Sequence, residues 1–375
     1  MTPLRIGINA LYLLPGGVGG TEIYLRQLLR ALAEIGSPHQ YLVFTNRETG
    51  SDLVPRSQQF EFCPQPLHAI NRASRILYEQ LRLPGVFRSQ KVDVLLNPGF
   101  TAPLATRIPC VTVFHDLQHV RHPEHFRRFD LPFWRILLWH AAKKSTHLIA
   151  VSEATRRDLL EHYQLSADAV SVVPHGVESE FFSLVRQRDD ERPYILCVST
   201  LHPHKNLDRL VRVFARLQNR HPQLRLVLAG MRGFHAEQIE KQIVDSGVVG
   251  SVEVTGWIAR EDLYELYRRA TIFVYPSMFE GFGMPVLEAL AAGLPVACSD
   301  IPPLHEAAGE AALYFHPERD DEMLAALDQL LSDAALAARF STAGPARARL
   351  FTWQRAAQAT LRCLEAAAYR SQSSN

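Results

Sequence analysis

Short apolar segments alternate with longer amphipathic ones along this chain, and the alternation runs through twice. The first half opens with "LRIGIN", a glycine-rich "LPGGVGG" and then "TEIYLRQLLRALAEIG". It continues through "YLVFT", "VDVLLN", "CVTVF" and "HLIAVS". The second half restarts at "PYILCVS" and goes on through "LRLVLAG", "VEVTG", "TIFVYPS", "LPVACS" and "ALYF", with helical stretches such as "KNLDRLVRVFARLQNR" and "REDLYELYRRA" between them. Near-continuous apolar strands separated by amphipathic helices predict parallel sheets covered on both faces. The expected fold class is α/β, with two doubly wound Rossmann-like domains. Ligands in such open sheets bind beyond the carboxyl ends of the strands. The polar, poorly periodic "ESEFFSLVRQRDDERP" reads as the join. The expected boundaries are a first domain over 1–180, a linker over 181–192, a second domain over 193–350 and a final helical segment over 351–375 returning to the first domain.

At 375 residues the chain has the length for two ordinary domains, and 47% hydrophobic residues suffice for two cores. A net charge of +1 gives no argument for nucleic acid. Five scattered cysteines without a C-x-x-C pair argue for reduced thiols in a cytoplasmic protein, not a zinc ribbon or disulfide framework. The chain enters directly into a strand without a signal-peptide pattern, and no apolar run reaches the ~18 residues of a membrane span. Charge is uneven: residues 72–144 hold 12 Lys or Arg against 5 Asp or Glu. Within them "FRRFDLPFWRILLWHAAKK" mixes Phe126, Phe133, Trp134 and Trp139 with basic residues. Two readings fit: a packed helix with a solvated basic face, or a surface helix resting on anionic lipid.

Four places carry candidate chemistry. In "PSMFEGFGMPVLEALAAGLPV", residues 276–296, Pro285 suits a first helical position and Gly293 the residue just past the end. The stretch is expected to run strand, glycine-rich loop, helix N-terminus, a junction that favours anions. Its two carboxylates, Glu280 and Glu288, suit sugar and ribose hydroxyls instead. "GGVGG" lies between strand and helix but fails the dinucleotide fingerprint, which would require glycine in place of Glu22. "TVFHDLQHV" sets His115 and Asp116 after an apolar strand, where they can donate to and accept from hydroxyls. "CVSTLHPHKNL" puts Lys205 in a strand-to-helix loop, suited to a diphosphate, although a lone lysine is more often a solvated one. No D-x-D, H-E-x-x-H or G-x-S-x-G is present, so no metal site is expected and hydrolase chemistry is disfavoured.

Together these segments resemble the retaining glycosyltransferases of family 4, which have the GT-B fold. The family's glutamate, seven residues, glutamate signature matches Glu280 to Glu288. "GGTEIYLRQLLRAL", "VTVFHDL", "AVSEATRRDL", "VVPHGVE", "LCVSTLHPHKNL" and "FTWQRAA" are similar to it as well, so nearly the whole chain is covered. The resemblance implies two domains facing each other across a cleft, the first binding acceptor and the second the nucleotide sugar. It implies that Glu280 accepts from hydroxyls of the transferred sugar and Glu288 from the ribose. Gly281, Phe282, Gly283 and Met284 would line sugar and diphosphate, with Lys205 neutralising the departing phosphate. Gly19 and Gly20 would face that phosphate, His115 the sugar, and the backbone near Trp257 and Ile258 the base. Many members carry an Arg shortly before the Lys. Here the region holds Thr200 and His204, and His204 stands where related sequences have that Arg.

The implied reaction is metal-independent transfer with retention, in which the departing phosphate accepts the acceptor's proton. The sub-family flavour is that of bacterial mannosyl- or rhamnosyltransferases of surface-polysaccharide assembly. That favours GDP-mannose as donor, with a UDP-hexose as the alternative. The acceptor is expected to be a glycan or a polyprenyl-diphosphate-linked sugar, reached from the cytoplasm at the inner face of the plasma membrane. A sugar-nucleotide epimerase, a phosphorylase and a non-catalytic nucleotide-sugar binder are the competing readings. A phosphorylase would need greater length and a pyridoxal phosphate lysine.

Overall fold

The computed structural model describes residues 2–16, 19–125, 130–189 and 191–372. It divides into two compact units, Met1–Gly176 with Trp353–Asn375, and Val177–Thr352.

The first unit is built on seven strands: β1 (Arg5–Asn9), β2 (Gln40–Thr45), β3 (Phe60–Pro64), β4 (Val94–Asn97), β5 (Cys110–Phe114), β6 (His147–Ala150) and β7 (Val170–Val172). They form one sheet in the order β3-β2-β1-β4-β5-β6-β7, with every pairing parallel. The central strands are apolar and buried along nearly their whole length, as a sheet covered on both faces requires. Helix Trp353–Gln372 belongs to this unit. It lies against helix Gly20–Glu34, with Gln354 Nε2 donating to Glu34 Oε2 at 2.8 Å and His39 Nε2 within 3.0 Å of Glu365 Oε1.

The second unit repeats the plan with β8 (Tyr194–Val198), β9 (Arg225–Ala229), β10 (Val252–Gly256), β11 (Ile272–Tyr275), β12 (Val296–Ser299) and β13 (Leu313–Phe315). Their order is β10-β9-β8-β11-β12-β13, again parallel, so the direction of winding reverses between β8 and β11. That reversal is where a doubly wound sheet opens a crevice for ligand.

The join differs from its sequence reading. Residues 181–192 read as a linker, but their described part runs along helix Arg260–Arg269 as part of the second unit. Phe181 is fully buried, edge-on to Tyr264 and Tyr267 with ring centroids 5.0 and 5.1 Å away. The Arg186 guanidinium donates to the carbonyls of Tyr267 and Ala270, at 2.9 and 2.7 Å. A buried aromatic, an engaged arginine and the backbone bonds of Gln187 and Asp189 to Arg268 and Arg269 hold the segment, and none of them leaves a periodic signature. The second unit therefore starts at Val177 rather than at 193.

Candidate active site

At the carboxyl ends of β8 and β11 two loops meet, 199–206 and 276–283. Asn206, 5% exposed and with φ 59°, ties them together. Its side-chain amide donates to the carbonyls of Pro276 (3.1 Å) and Pro317 (2.8 Å). The backbone N–H of Met278 and the hydroxyl of Ser277 both donate to the His204 carbonyl. Helix Met284–Ala291 follows, capped by Gly283 with φ 115°. A Cβ there would lie 2.5 Å from Leu304 Cδ2, so glycine is required by both conformation and space. Phe282 is buried against Phe351, which anchors the loop from the other side. Gly281 is buried, and Met284 is half-buried where the helix begins.

Lys205 and Glu280, far apart in sequence, meet here. Lys205 Nζ lies 2.5 Å from Glu280 Oε1 and donates to the Tyr275 hydroxyl at 3.0 Å. The side chains are only 14% and 12% exposed, so the solvated surface lysine is ruled out. Burial, and then the charge of Glu280, holds the Tyr275 hydroxyl well above its ordinary value, so it stays neutral. A cation and a carboxylate thus share one hydrogen bond at the winding reversal, beside a helix N-terminus without a side-chain cap. Glu288, eight residues beyond Glu280, is buried on that helix and bonded to Arg260 (2.8 Å) and to the Tyr267 hydroxyl (2.9 Å). Thr200 is half-buried at the head of the β8 loop, its carbonyl accepting from His202 N–H at 2.8 Å. The His204 ring lies nearly parallel to that of His202, 6.0 Å away. Beyond β10, Ile258 is half-buried and Trp257 is 66% exposed.

In the first unit, Phe114 closes β5 and His115 follows it, buried. His115 Nε2 is 2.8 Å from the Pro98 carbonyl. A carbonyl can only accept, so Nε2 carries the proton. Burial pushes the imidazole pKa down to about 4, and the neutral ring therefore keeps Nδ1 as an acceptor. Tyr24 and Phe100 hold it edgewise at 4.8 and 5.2 Å. The expectation that His115 and Asp116 both donate and accept is thus narrowed. His115 offers one acceptor nitrogen, while Asp116 Oδ1 accepts the Gln118 N–H at 2.9 Å and stabilises the turn. Gly19, with φ 58°, caps helix Gly20–Glu34, and Gly20 is exposed at its first position. Glu22 Oε2 accepts the Gly16 N–H at 2.8 Å, so the residue that breaks the dinucleotide pattern braces the loop. Gly17 and Val18 lie outside the described residues.

The five cysteines are all free and buried, and no group of three or more metal-ligating side chains occurs among the described residues. Sequence reasoning missed Arg260, Tyr267, Tyr275 and Glu178. The segments of Arg260, Tyr267 and Tyr275 read correctly as helix and strand and that of Glu178 read as a join, but the contacts of all four are non-local and have no sequence signal.

Two parallel sheets of this order, with the Lys205–Glu280 pair at the reversal of the second, have the architecture of the GT-B glycosyltransferases. Two family models match consecutive stretches of the chain, Glycosyltransferase Family 4 over residues 18–181 and Glycosyl transferases group 1 over residues 178–347. The chain belongs to this family and is a hexosyltransferase. It is 28% identical to the O-antigen chain mannosyltransferase B of Escherichia coli over 79% of this chain and 80% of that protein. It is 31% identical to the O-antigen chain mannosyltransferase RfbU of Salmonella typhimurium over 59% of this chain and 60% of that protein. Its fold matches a sucrose-phosphate synthase from Thermosynechococcus elongatus with a TM-score of 0.79 at 20% identity, covering 99% of each chain.

Proposed function

We propose that the protein transfers a mannosyl group, with retention, from GDP-mannose to a growing surface glycan or its polyprenyl-diphosphate-linked precursor. The observation that carries the reading is the Lys205–Glu280 pair at the winding reversal of the second sheet. Supporting the sugar is the likeness to two O-antigen mannosyltransferases.

Each role follows from the chemistry of the group. Glu280 is an acceptor for hydroxyls of the transferred sugar, and Glu288 for those of the ribose. The diphosphate lies at the N-terminus of helix Met284–Ala291, where the helix dipole and the backbone of Gly281, Phe282 and Gly283 favour negative charge. Lys205 turns toward the leaving phosphate as the glycosidic bond breaks. It gains interaction in the transition state beyond what it has with bound donor, which is the condition for raising the rate. The leaving oxygen accepts the proton of the incoming hydroxyl on the same face. Catalysis then rests on orientation and charge stabilisation, without a metal. His115 Nδ1 suits a sugar hydroxyl, an acceptor facing a donor.

Contact with anionic membrane is the remaining part of the reading. No helix among the described residues is long and apolar enough to cross a membrane. Helix Leu131–Lys144 carries Phe133, Ile136 and Trp139 at 50%, 61% and 46% exposure, and ends in Lys143 and Lys144. Phe126, Arg127 and Arg128 lie outside the described residues. An apolar stripe ending in lysines suits a headgroup boundary, where a lipid-linked acceptor would be found.

The test is turnover with GDP-mannose, UDP-hexoses and dTDP-sugars, with and without lipid-linked acceptor and with and without EDTA. Mannosyl transfer from GDP-mannose that is indifferent to EDTA is expected. Transfer only from a UDP-sugar would replace the donor. Turnover without acceptor would indicate an epimerase, and activity restored only by Mn²⁺ would overturn metal independence.

A further inference from the structure

The carboxylate of Glu288 is not set by its own helix alone. Its Oε1 accepts from Arg260 Nη2 at 2.8 Å and its Oε2 from the Tyr267 hydroxyl at 2.9 Å. Arg260 and Tyr267 lie two turns apart on helix Arg260–Arg269, so one rigid element grips both oxygens. The same Nη2 is bonded to Glu178 Oε1, and the other Glu178 oxygen accepts from the Tyr264 hydroxyl at 2.9 Å. Phe181 and Tyr264 present their rings to the guanidinium at 5.0 and 5.4 Å. The site is well enclosed: both carboxylate side chains are 9% exposed and the arginine 24%.

Two carboxylates around one guanidinium make an unusual choice for an enclosed position. A buried carboxylate needs its cation to remain ionised, and removing one member of such a group leaves an uncompensated charge. Burial alone would weaken Arg260 as a base, but the two carboxylates outweigh it and hold its proton more tightly. The geometry also leaves capacity at Glu288. An ionised carboxylate has about four lone-pair sites, and Arg260 and Tyr267 take one on each oxygen. One acceptor site per oxygen remains, which matches the two neighbouring hydroxyls of a ribose.

We infer that Arg260 is the positioning residue for Glu288, fixing its carboxylate as a double acceptor for a vicinal diol, with Glu178 holding the guanidinium in place. The inference rests on the proposed ribose contact of Glu288. It assigns Arg260 and Glu178 to donor recognition although neither is taken to touch the nucleotide.

The test compares dissociation constants of GDP and of UDP with those of their 2′-deoxy forms by calorimetry, for the wild type, Glu288→Gln, Arg260→Gln and Arg260→Lys. The deoxy-to-ribo ratio reports the diol contact alone, and a purely structural role would leave it unchanged. In the wild type the ratio should be about tenfold or more, the worth of one hydrogen bond to a charged group. It should fall to near one in Glu288→Gln and in Arg260→Gln. Arg260→Lys should be intermediate, because it restores charge but not the fork that serves two carboxylates. A wild-type ratio in Arg260→Gln together with a collapsed one in Glu288→Gln overturns the inference and leaves the ribose reading standing. A wild-type ratio in Glu288→Gln overturns the ribose reading itself. If Arg260→Gln fails to melt cooperatively, Arg260→Lys carries the test, and an unchanged ratio in that variant overturns the inference.

Discussion

Replacing Lys205 with alanine removes the cation from a pair that little water reaches. Nζ stands 2.5 Å from Glu280 Oε1 and 3.0 Å from the Tyr275 hydroxyl. The variant strands a carboxylate that is 12% exposed. Breaking a fully buried pair from one side costs about 3–5 kcal/mol, and losing a hydrogen bond to a charged group about 1.5–3 kcal/mol. Both side chains keep some exposure, so about 2 kcal/mol is the expected loss. For a unit of this size that lowers the melting temperature by roughly 4–8 °C. A solvated loop lysine could be removed without cost to the fold, but the buried ion pair makes Lys205 a part of it. Turnover should fall further. Removing one preorganised electrostatic contact to a developing anion costs about 10²–10³ in kcat. The double variant Lys205→Ala/Glu280→Gln removes the stranded charge and should recover most of the melting temperature but none of the turnover. The assays are thermal melts and single-turnover transfer with saturating donor. A Lys205→Ala enzyme within a few-fold of wild type would show that the helix N-terminus alone stabilises the leaving group. An unchanged melting temperature would show that the pair contributes nothing to the fold.

Glu280→Gln and Glu288→Gln should fail differently, the first lowering kcat and the second raising the donor KM, each by roughly 10- to 100-fold. Steady-state kinetics decide this, and near-wild-type values for both would remove both roles. Burial pushes His115 and His119 down to about 4 from 6.5, so both are neutral in the folded protein. Their contribution is present above pH 6.5 and is lost as pH falls through about 4; between pH 8 and 5 it amounts to roughly 2 kcal/mol for each. Urea titrations across that range should show a shallower decline for His119→Gln than for the wild type, and parallel curves would refute it. Replacing Phe133 and Ile136 with serine, or Lys143 and Lys144 with glutamine, should weaken binding to anionic vesicles, and added salt should shrink only the lysine effect. Equal sedimentation of all variants with the vesicles would leave helix Leu131–Lys144 as a packed surface helix.

What could be read from sequence was what the chain encodes locally. The apolar runs found most of the strands because a strand buried on both faces needs an unbroken run. The two strands that escaped, Phe60–Pro64 and Val170–Val172, are the two edges of the first sheet and are only partly buried. An edge strand needs less apolar surface, so its signal fades into the loops around it. The helix Met284–Ala291 was readable at both ends for the same local reason, with Pro285 in its first turn and Gly293 past its last, at φ 71°. The Glu280–Glu288 spacing was legible because a loop and one helix carry both residues. The contacts that give these carboxylates their chemistry were not. Lys205 reaches Glu280 across 75 positions, Arg260 reaches Glu288 across 28 and Glu178 across 82. Each is made by the sheet order, which brings the β8 loop beside the β11 loop and lays 178–189 along helix Arg260–Arg269. The same order explains why a lysine can stand there at all. Glu280 holds it in place in the absence of donor, and a bound diphosphate would then compete for a cation already positioned, so that little ordering is left to be done as the glycosidic bond breaks.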